Sequence, residues 1–562
     1  MKKYIGLFLF SFLLISFINS QETPKVSKNG MVVSASRLAS QVGVNIMKSG
    51  GNAIDAAVAT GFALAVTYPQ AGNIGGGGFL VAHLHDGRNI TIDFRETAPS
   101  TSHRNMYLDE NGDVVKDMSL YTHRAVSVPG SVAGLITTWR YYGSGNISLK
   151  QLLEPAIVLA KNGFSISNRF AQNLNDYKPL FEKDGGSREV FIRADKNLWQ
   201  EGDFLIQKDL SKTLQRISKY ELDGFYRSKT AELIVEEIKD GSGLITMEDL
   251  ESYSPKLRPP INGTYKNYDI VSMGPPSSGG ILLVQMLNML ENFELDSLEL
   301  NSADYIHLLT EIERRAYADR AEHLGDTDYW DVPIKMLTSK KYALERVHNI
   351  SMDKATPSSE VFAGDPTAYE SSETTHYSVI DTDGNAVSVT TTLNRTFGSG
   401  KLVDGAGFLL NNEMDDFSSK PGSPNSFGLV GNKANAISPF KRPLSSMTPT
   451  IILKDDKPFI IIGSPGGSAI ITTVLQVILH VVENNMNILE AVSTPRTHSQ
   501  WLPDVIMTEP ETISDSVQNE LESRGHKIIR RDYIGSANGI LIKGNGYYGG
   551  PDPRCENAAV GY

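Results

Sequence analysis

An α/β (α+β) sandwich with β-sheets at its centre is the fold class the sequence predicts, and three observations carry it. Small-residue helical patterns open the chain, β-branched and aromatic runs broken by turn signals dominate its last third, and a helical, more polar stretch (about 130–345) lies between. Residues 36–48 read as a first helix that stops at Gly50-Gly51, and Asn52 caps a second, small-residue helix through Val66. The run Gly75-Gly76-Gly77-Gly78 follows, then strands over 79–85 and 90–94. In the middle, helices are expected over 281–292 and Ala303–His323. The Ser-, Pro- and Glu-rich segment 351–372 has little periodicity and is the most linker-like part of the chain. A β-hairpin begins where it ends. Residues 374–380 are rich in β-branched and aromatic types, Asp383-Gly384-Asn385 signals a turn, and 386–394 reads as the return strand. A strand over 408–412, a strand pair (450–453 and 459–462) joined through Asp455-Asp456-Lys457, and a helix from Ser468 to about Glu483 follow.

With 562 residues, 40% of them apolar, the chain can bury a large core in one big domain or two intimate ones. Lys2-Lys3, an apolar run over 5–18 and Asn19-Ser20-Gln21 describe a secretory signal peptide over residues 1–20. That run is too short to span a bilayer, and no cysteine lies near the cut, so an exported protein without a stable membrane anchor is expected. Losing the segment removes two lysines and takes the formal charge from −12 to −14. An acidic chain without a basic stripe is a poor nucleic-acid binder. Cys555 is the sole cysteine, so no intramolecular disulfide can form, and a chain this long does not need one. No Cys/His cluster with metal-ligand spacing occurs, nor an H-E-x-x-H, a P-loop, a G-x-G-x-x-G or a G-x-S-x-G. No metal or cofactor is expected.

Chemistry points to the hairpin. A hydroxyl is a poor nucleophile until a base removes its proton. A threonine freed at a chain terminus carries its own base, because an α-amino group titrates near ~7.7–8.0. Thr374, at the end of the linker-like segment, is the candidate. A two-residue turn at Asp383-Gly384 would set it opposite Leu393, and a three-residue loop with Gly384 left-handed would set it opposite Asn394. Only the second puts Thr374, Thr392 and Asn394 on one face. Gly466-Gly467 falls where a strand ends and a helix starts, where free N–H groups and the helix dipole suit an oxyanion. Arg95 can hold a carboxylate through two parallel hydrogen bonds, and Ser445-Ser446 could add hydroxyl donors. The Glu413-Met414-Asp415-Asp416 cluster could grip an ammonium group, bind a cation, or be solvated. His376 reads as a structural hydrogen-bonder.

Seven motifs then occur in one order from about residue 34 to the C-terminus. They are Pro-Gln-Ala-Gly-Asn-Ile-Gly-Gly-Gly-Gly (69–78), Asp-Phe-Arg-Glu (93–96), Pro-Pro-Ser-Ser-Gly-Gly (275–280), Thr-Thr-His-Tyr-Ser (374–378), Asn-Asn-Glu-Met-Asp-Asp-Phe (411–417), Arg-Pro-Leu-Ser-Ser-Met (442–447) and Gly-Ser-Pro-Gly-Gly-Ser (463–468). Together they resemble the γ-glutamyltranspeptidases. The resemblance implies a four-layer αββα sandwich of the N-terminal-nucleophile hydrolase type, made as an inactive precursor. Cleavage between Glu373 and Thr374 would give a large subunit (21–373) and a small one (374–562) that stay together as a heterodimer. The implied substrates are glutathione, its S-conjugates and other γ-glutamyl amides, with water or the amine of an amino acid or peptide as acceptor. By the same resemblance Thr374 is the nucleophile, Thr392 hydrogen-bonds it, and the Gly466 and Gly467 N–H groups form the oxyanion hole. Arg95, Ser445 and Ser446 would hold the substrate α-carboxylate, and Asn394, Glu413 and Asp416 its α-ammonium. The location implied is the periplasm, with secretion as the alternative.

Two departures stand out. Glu413 occupies a position where some bacterial members carry glutamine. Phe427 stands in the lid-like segment 420–431 where relatives place tyrosine. Lacking a hydroxyl to bond Asn394, Phe427 implies a lid held mainly by packing. A cephalosporin-acylase-like amidase would share the fold and self-processing, but Asp416 favours a substrate with an ammonium group. An amino-acid-binding exported protein would use Arg95 and Asp416 and have no need of the Thr374 hairpin or the Gly466-Gly467 turn.

Overall fold

The structure, a computed structural model, describes residues 23–361, 374–420, 422–423, 425–426 and 428–562. The proposed signal peptide, Glu373 and Phe427 fall outside the described residues. Two seven-stranded antiparallel sheets form the centre. Across the first run Ala558–Gly561, Gly30–Ser34, Thr375–Asp381, Ala386–Thr392, Gly77–His83, Asn89–Asp93 and Lys256–Arg258. Across the second run Lys25–Ser27, Gly546–Pro551, Asn538–Lys543, Lys457–Ile462, Thr450–Lys454, Tyr268–Ser272 and Ile261–Tyr265. The C-terminal strand Ala558–Gly561 pairs with Gly30–Ser34, so the two ends of the chain close one edge together.

Side chains alternate along a strand, and here the alternation sorts them into layers. Met31, Val33, Phe79, Val81 and Ile380 of the first sheet pack against Val271, Ile451, Ile461 and Ile540 of the second. Their neighbours Val32, Leu80, Val379, Val387 and Val389 turn outward onto a helical layer that includes Ala53–Thr67, Ser131–Tyr142 and Leu149–Asn162. The outer face of the second sheet is covered by Gly279–Leu290, Ala303–His323 and Ile470–Val482. The order of layers is helix, sheet, sheet, helix, the αββα sandwich that the family resemblance implied.

Individual elements follow their local chemistry. Asn52 caps Ala53–Thr67 in a reciprocal capping box with Asp55. The helix Ala303–His323 has the predicted bounds, and Asp455-Asp456, both with positive φ, form the two-residue turn between Thr450–Lys454 and Lys457–Ile462. The strand expected over 408–412 does not form as part of a sheet. Leu409 makes only an isolated bridge with Leu402. The reason is Asn411, whose side chain gives its amide hydrogens to Gly75 O and Ser127 O (2.9 and 2.8 Å) and accepts from the N–H of Ser127 and Glu413. A segment bonded to two separate loops, and to its own next turn, through one side chain has no need of a ladder partner.

Candidate active site

Thr374 immediately precedes the strand Thr375–Asp381 and is 5% exposed. The hairpin register pairs Thr375 with Thr391 and Ile380 with Ala386, so one further step sets Thr374 opposite Thr392. Neither register weighed from the sequence is the one formed. The loop has three residues and Gly384 at φ 88°, but it comprises Thr382, Asp383 and Gly384. Asp381 causes the shift: its Oδ1 accepts from the N–H of both Asp383 and Asn385 at 3.0 Å, closing the turn early. Parity is nonetheless that of the three-residue alternative, so Thr374 and Thr392 share the face that looks toward the second sheet. Asn394, left-handed at φ 75°, leaves the strand and donates its N–H to Thr392 Oγ1 at 2.8 Å.

His376 lies on that same face and is structural. Its ring nitrogens bond Thr390 Oγ1 (2.9 Å) and Ser378 Oγ (3.0 Å), and burial pushes its pKa down to about 3. A neutral imidazole tied to two hydroxyls between the sheets has no free nitrogen for substrate.

One cleft collects the rest. Its walls are formed by Thr374, Thr392, Asn394, Arg95, Glu413, Asp416, Ser445, Ser446 and Gly467, with Arg320, Leu429, Met447 and Ile470 completing them. Arg95 is fully buried, two residues beyond the strand Asn89–Asp93, and heavily braced. Its N–H donates to Asp93 Oδ1 (3.0 Å), and its carbonyl accepts from Tyr253 (2.9 Å) and Arg442 (3.2 Å). Its guanidinium pairs with Glu413 through one nitrogen and Asp416 through the other. Burial opposes the Arg95 charge, but Glu413, Asp416 and Glu96 outweigh it and hold its pKa above the usual arginine value. Burial pushes Glu413 upward, against the pull of Arg95. Asn394 Oδ1 is a buried acceptor with no hydrogen-bond partner among the described residues.

The serine loop is held from the other half of the chain. Ser278, in Pro275-Pro276-Ser277-Ser278-Gly279-Gly280, donates its N–H and its hydroxyl to Ser445 O (2.8 and 2.7 Å), and Ser445 N–H returns to Pro276 O (2.9 Å). Arg320, from Ala303–His323, donates to Ser278 Oγ (3.0 Å) and Ser446 Oγ (3.3 Å). Sequence reading missed both residues. The signal for Arg320 was an arginine in a helix buried on nearly every side.

Gly466 (φ 142°) and Gly467 (φ 54°) form the turn between Lys457–Ile462 and the helical run Gly467–Ala469 and Ile470–Val482. The Gly466 angle suits glycine alone, and that of Gly467 lies in the left-handed region that favours glycine. Gly467 shares the cleft with Thr374, while Gly466 meets Thr374 in an adjoining hollow with Tyr68, Arg169 and Tyr533.

Described residues of the lid-like segment reach the acidic cluster of the site. Asn425 donates to Asp416 Oδ1 (3.0 Å), Ser426 N–H donates to Asp415 Oδ2 (3.0 Å), and Leu429 N–H donates to Asn425 Oδ1 (3.1 Å). Among the described residues no group of His, Cys, Asp and Glu could hold a metal ion, and no helix is long and apolar enough to cross a membrane.

The sheet-on-sheet sandwich with a threonine at the start of a central strand is the fold of the N-terminal-nucleophile hydrolases. The chain belongs to the gamma-glutamyltranspeptidase family, whose model matches residues 39–562. It is 46% identical to a glutathione hydrolase proenzyme of Escherichia coli (strain K12), over 96% of this chain and 93% of that one. The gamma-glutamyltranspeptidase structure from Helicobacter pylori superposes with a TM-score of 0.58 at 45% identity, covering 63% of this chain and 99% of that one. A cephalosporin acylase from Bacillus halodurans superposes with a TM-score of 0.84 at 25% identity, covering 98% and 99%. Fold alone therefore does not separate transpeptidase from acylase.

Proposed function

We propose that the chain is a self-processing γ-glutamyltransferase and glutathione hydrolase. One observation carries this reading over an acylase: the cleft that contains Thr374 also contains Arg95, Glu413, Asp416, Ser445 and Ser446. A zwitterionic α-amino acid head needs donors and acceptors together, and an acyl group without an ammonium has no use for Asp416.

In the precursor, the Thr374 hydroxyl attacks the Glu373 carbonyl, and water hydrolyses the resulting ester. The products are a Glu373 carboxylate, ending the large subunit (21–373), and a free Thr374 amine, opening the small one (374–562). That amine takes the hydroxyl proton as Oγ attacks the γ-carbonyl of a γ-glutamyl amide. Gly466 and Gly467 N–H groups stabilise the oxyanion. The leaving amine departs with the proton, and a γ-glutamyl ester remains on Thr374. Water or the amine of an amino acid or peptide then takes the acyl group. Arg95, Ser445 and Ser446 hold the α-carboxylate, and Asn394, Glu413 and Asp416 hold the α-ammonium. Binding at this non-reacting end orients the γ-carbonyl. Export, to the periplasm, fits the sequence of residues 1–20.

Intact mass and N-terminal sequencing of wild type beside Thr374→Ala test the reading. Two fragments, the smaller beginning at Thr374, are expected only for wild type, together with hydrolysis of a γ-glutamyl anilide. An uncut wild-type chain, or a cut one that leaves the anilide intact, would overturn it.

A further inference from the structure

Arg320 is a second arginine in the cleft, and it differs from Arg95 in one respect. Arg95 is neutralised by Glu413 and Asp416. Arg320, 4% exposed, has no carboxylate within ion-pair distance among the described residues; its guanidinium donates only to the hydroxyls of Ser278 and Ser446. Burial lowers its pKa to about 10, which leaves it charged at neutral pH. A buried cation without a counter-ion is costly. The charged groups that face it are Arg95, which repels it, and Asp416, which is already bonded to Arg95.

Hydroxyl polarity gives the arrangement a direction. A serine has one hydrogen to donate and lone pairs that accept. Ser446 Oγ accepts from Arg320, and Ser445 Oγ accepts from the N–H of Met447 (3.1 Å). Neither hydroxyl hydrogen is given to another described residue, and both serines line the cleft. Both are set to donate into it.

We propose that Arg320 is the positioning residue of the carboxylate half of the site: it occupies the accepting side of Ser446 so that the hydroxyl donates to the substrate α-carboxylate, and its unpaired charge adds to the pull on that group. This rests on the proposed γ-glutamyl specificity. The role of Arg320 is therefore binding and selection, not chemistry at Thr374.

The test compares L-γ-glutamyl-p-nitroanilide with 4-aminobutyryl-p-nitroanilide, which lacks only the α-carboxylate, in matured wild type, Arg320→Met, Arg320→Lys, Ser446→Ala and the Arg320→Met/Ser446→Ala double variant. For Arg320→Met, KM for the γ-glutamyl substrate should rise about 10- to 100-fold, the range expected for a hydrogen-bonded charge. Its kcat should stay within about threefold, and the preference for the carboxylate-bearing substrate should fall by the same factor as KM rises. Arg320→Lys, which keeps the charge but not the fork, should recover part of the loss, and the double variant should lose little more than the worse single one. Equal losses on both substrates, an unchanged KM, or additive losses would overturn the proposal. If Arg320→Met does not mature, Arg320→Lys decides by the same ratio. Failure of both to mature would make Arg320 a folding residue and end the proposal. Wild type inactive on the γ-glutamyl anilide would instead refute the underlying specificity, and this inference with it.

Discussion

The Arg95 guanidinium is ion-paired with Glu413 inside the cleft, each side chain about 1% exposed. The residue expected to bind a carboxylate and one expected to bind an ammonium are thus partners of each other. Removing one member of a buried pair leaves the other charged and uncompensated, at a cost of about 3–5 kcal/mol. Because Asp416 still pairs with Arg95, Glu413→Ala should lower unfolding stability by less than that full amount, while Glu413→Gln, which still accepts from Arg95, should lose markedly less again. Chemical denaturation of both variants checks this. Equal stability losses would mean that Glu413 supplies its negative charge, which glutamine lacks, and not merely an acceptor oxygen.

Glu96 follows Arg95 and is buried completely. Burial raises its carboxyl from 4.5 to about 7, with Arg95 pulling the other way. A folded-state pKa above the unfolded one means the native state holds a proton that the unfolded chain has released. Stability from this group is full below pH 4.5 and is lost as pH rises through about 7. Wild type should lose thermal stability between pH 5 and 8 more steeply than Glu96→Gln, whose amide does not titrate, by on the order of a few kcal/mol. Parallel slopes in a thermal denaturation series across pH would count against it.

The lid should respond to Asn425 more than to Phe427. Asn425 donates to Asp416 and accepts from Leu429 N–H, so it ties the segment both to the site and to itself. Asn425→Ala removes both bonds and should raise KM for a γ-glutamyl anilide roughly 3- to 30-fold, at about 1 kcal/mol or somewhat more per bond. Phe427→Tyr should change the ratio of hydrolysis to transfer less than Asn425→Ala does. Steady-state kinetics with and without an acceptor dipeptide separates the two.

Some of this was legible in the sequence and some was not, for physical reasons. The hairpin could be read because β-branched residues and an Asp-Gly turn act locally. Its register could not, because Asp381 closes the loop through its side chain, and turn spacing alone does not record that choice. The cap at Asn52 and the bounds of Ala303–His323 are likewise local and came out as expected. The segment before Glu413 looked like a strand by composition, yet Asn411 bonds it to two distant loops, at Gly75 and Ser127. Arg320 and Ser278 escaped because their meaning lies in what they touch. Each lies more than a hundred residues from the serine loop it holds.

Thr392 is the last residue of Ala386–Thr392 and faces Thr374 across the strand pair. Its Oγ1 accepts from Asn394 N–H at 2.8 Å, so that backbone donor fixes the hydroxyl's orientation. In the proposed mechanism a hydroxyl held in this way serves the Thr374 nucleophile and not the substrate's distant head. Thr392→Ala should thus lower kcat about 10- to 100-fold with KM for a γ-glutamyl anilide nearly unchanged, the pattern of an interaction made in the transition state. Thr392→Ser keeps the oxygen and should restore most of the rate. Because the same hydroxyl is near Thr374 during self-cleavage, the kinetics should be measured on fully matured protein, with the rate of fragment appearance followed separately. A Thr392→Ala enzyme with wild-type kcat, or one whose loss lies wholly in KM, would show that the face shared by these two threonines has no part in the chemistry.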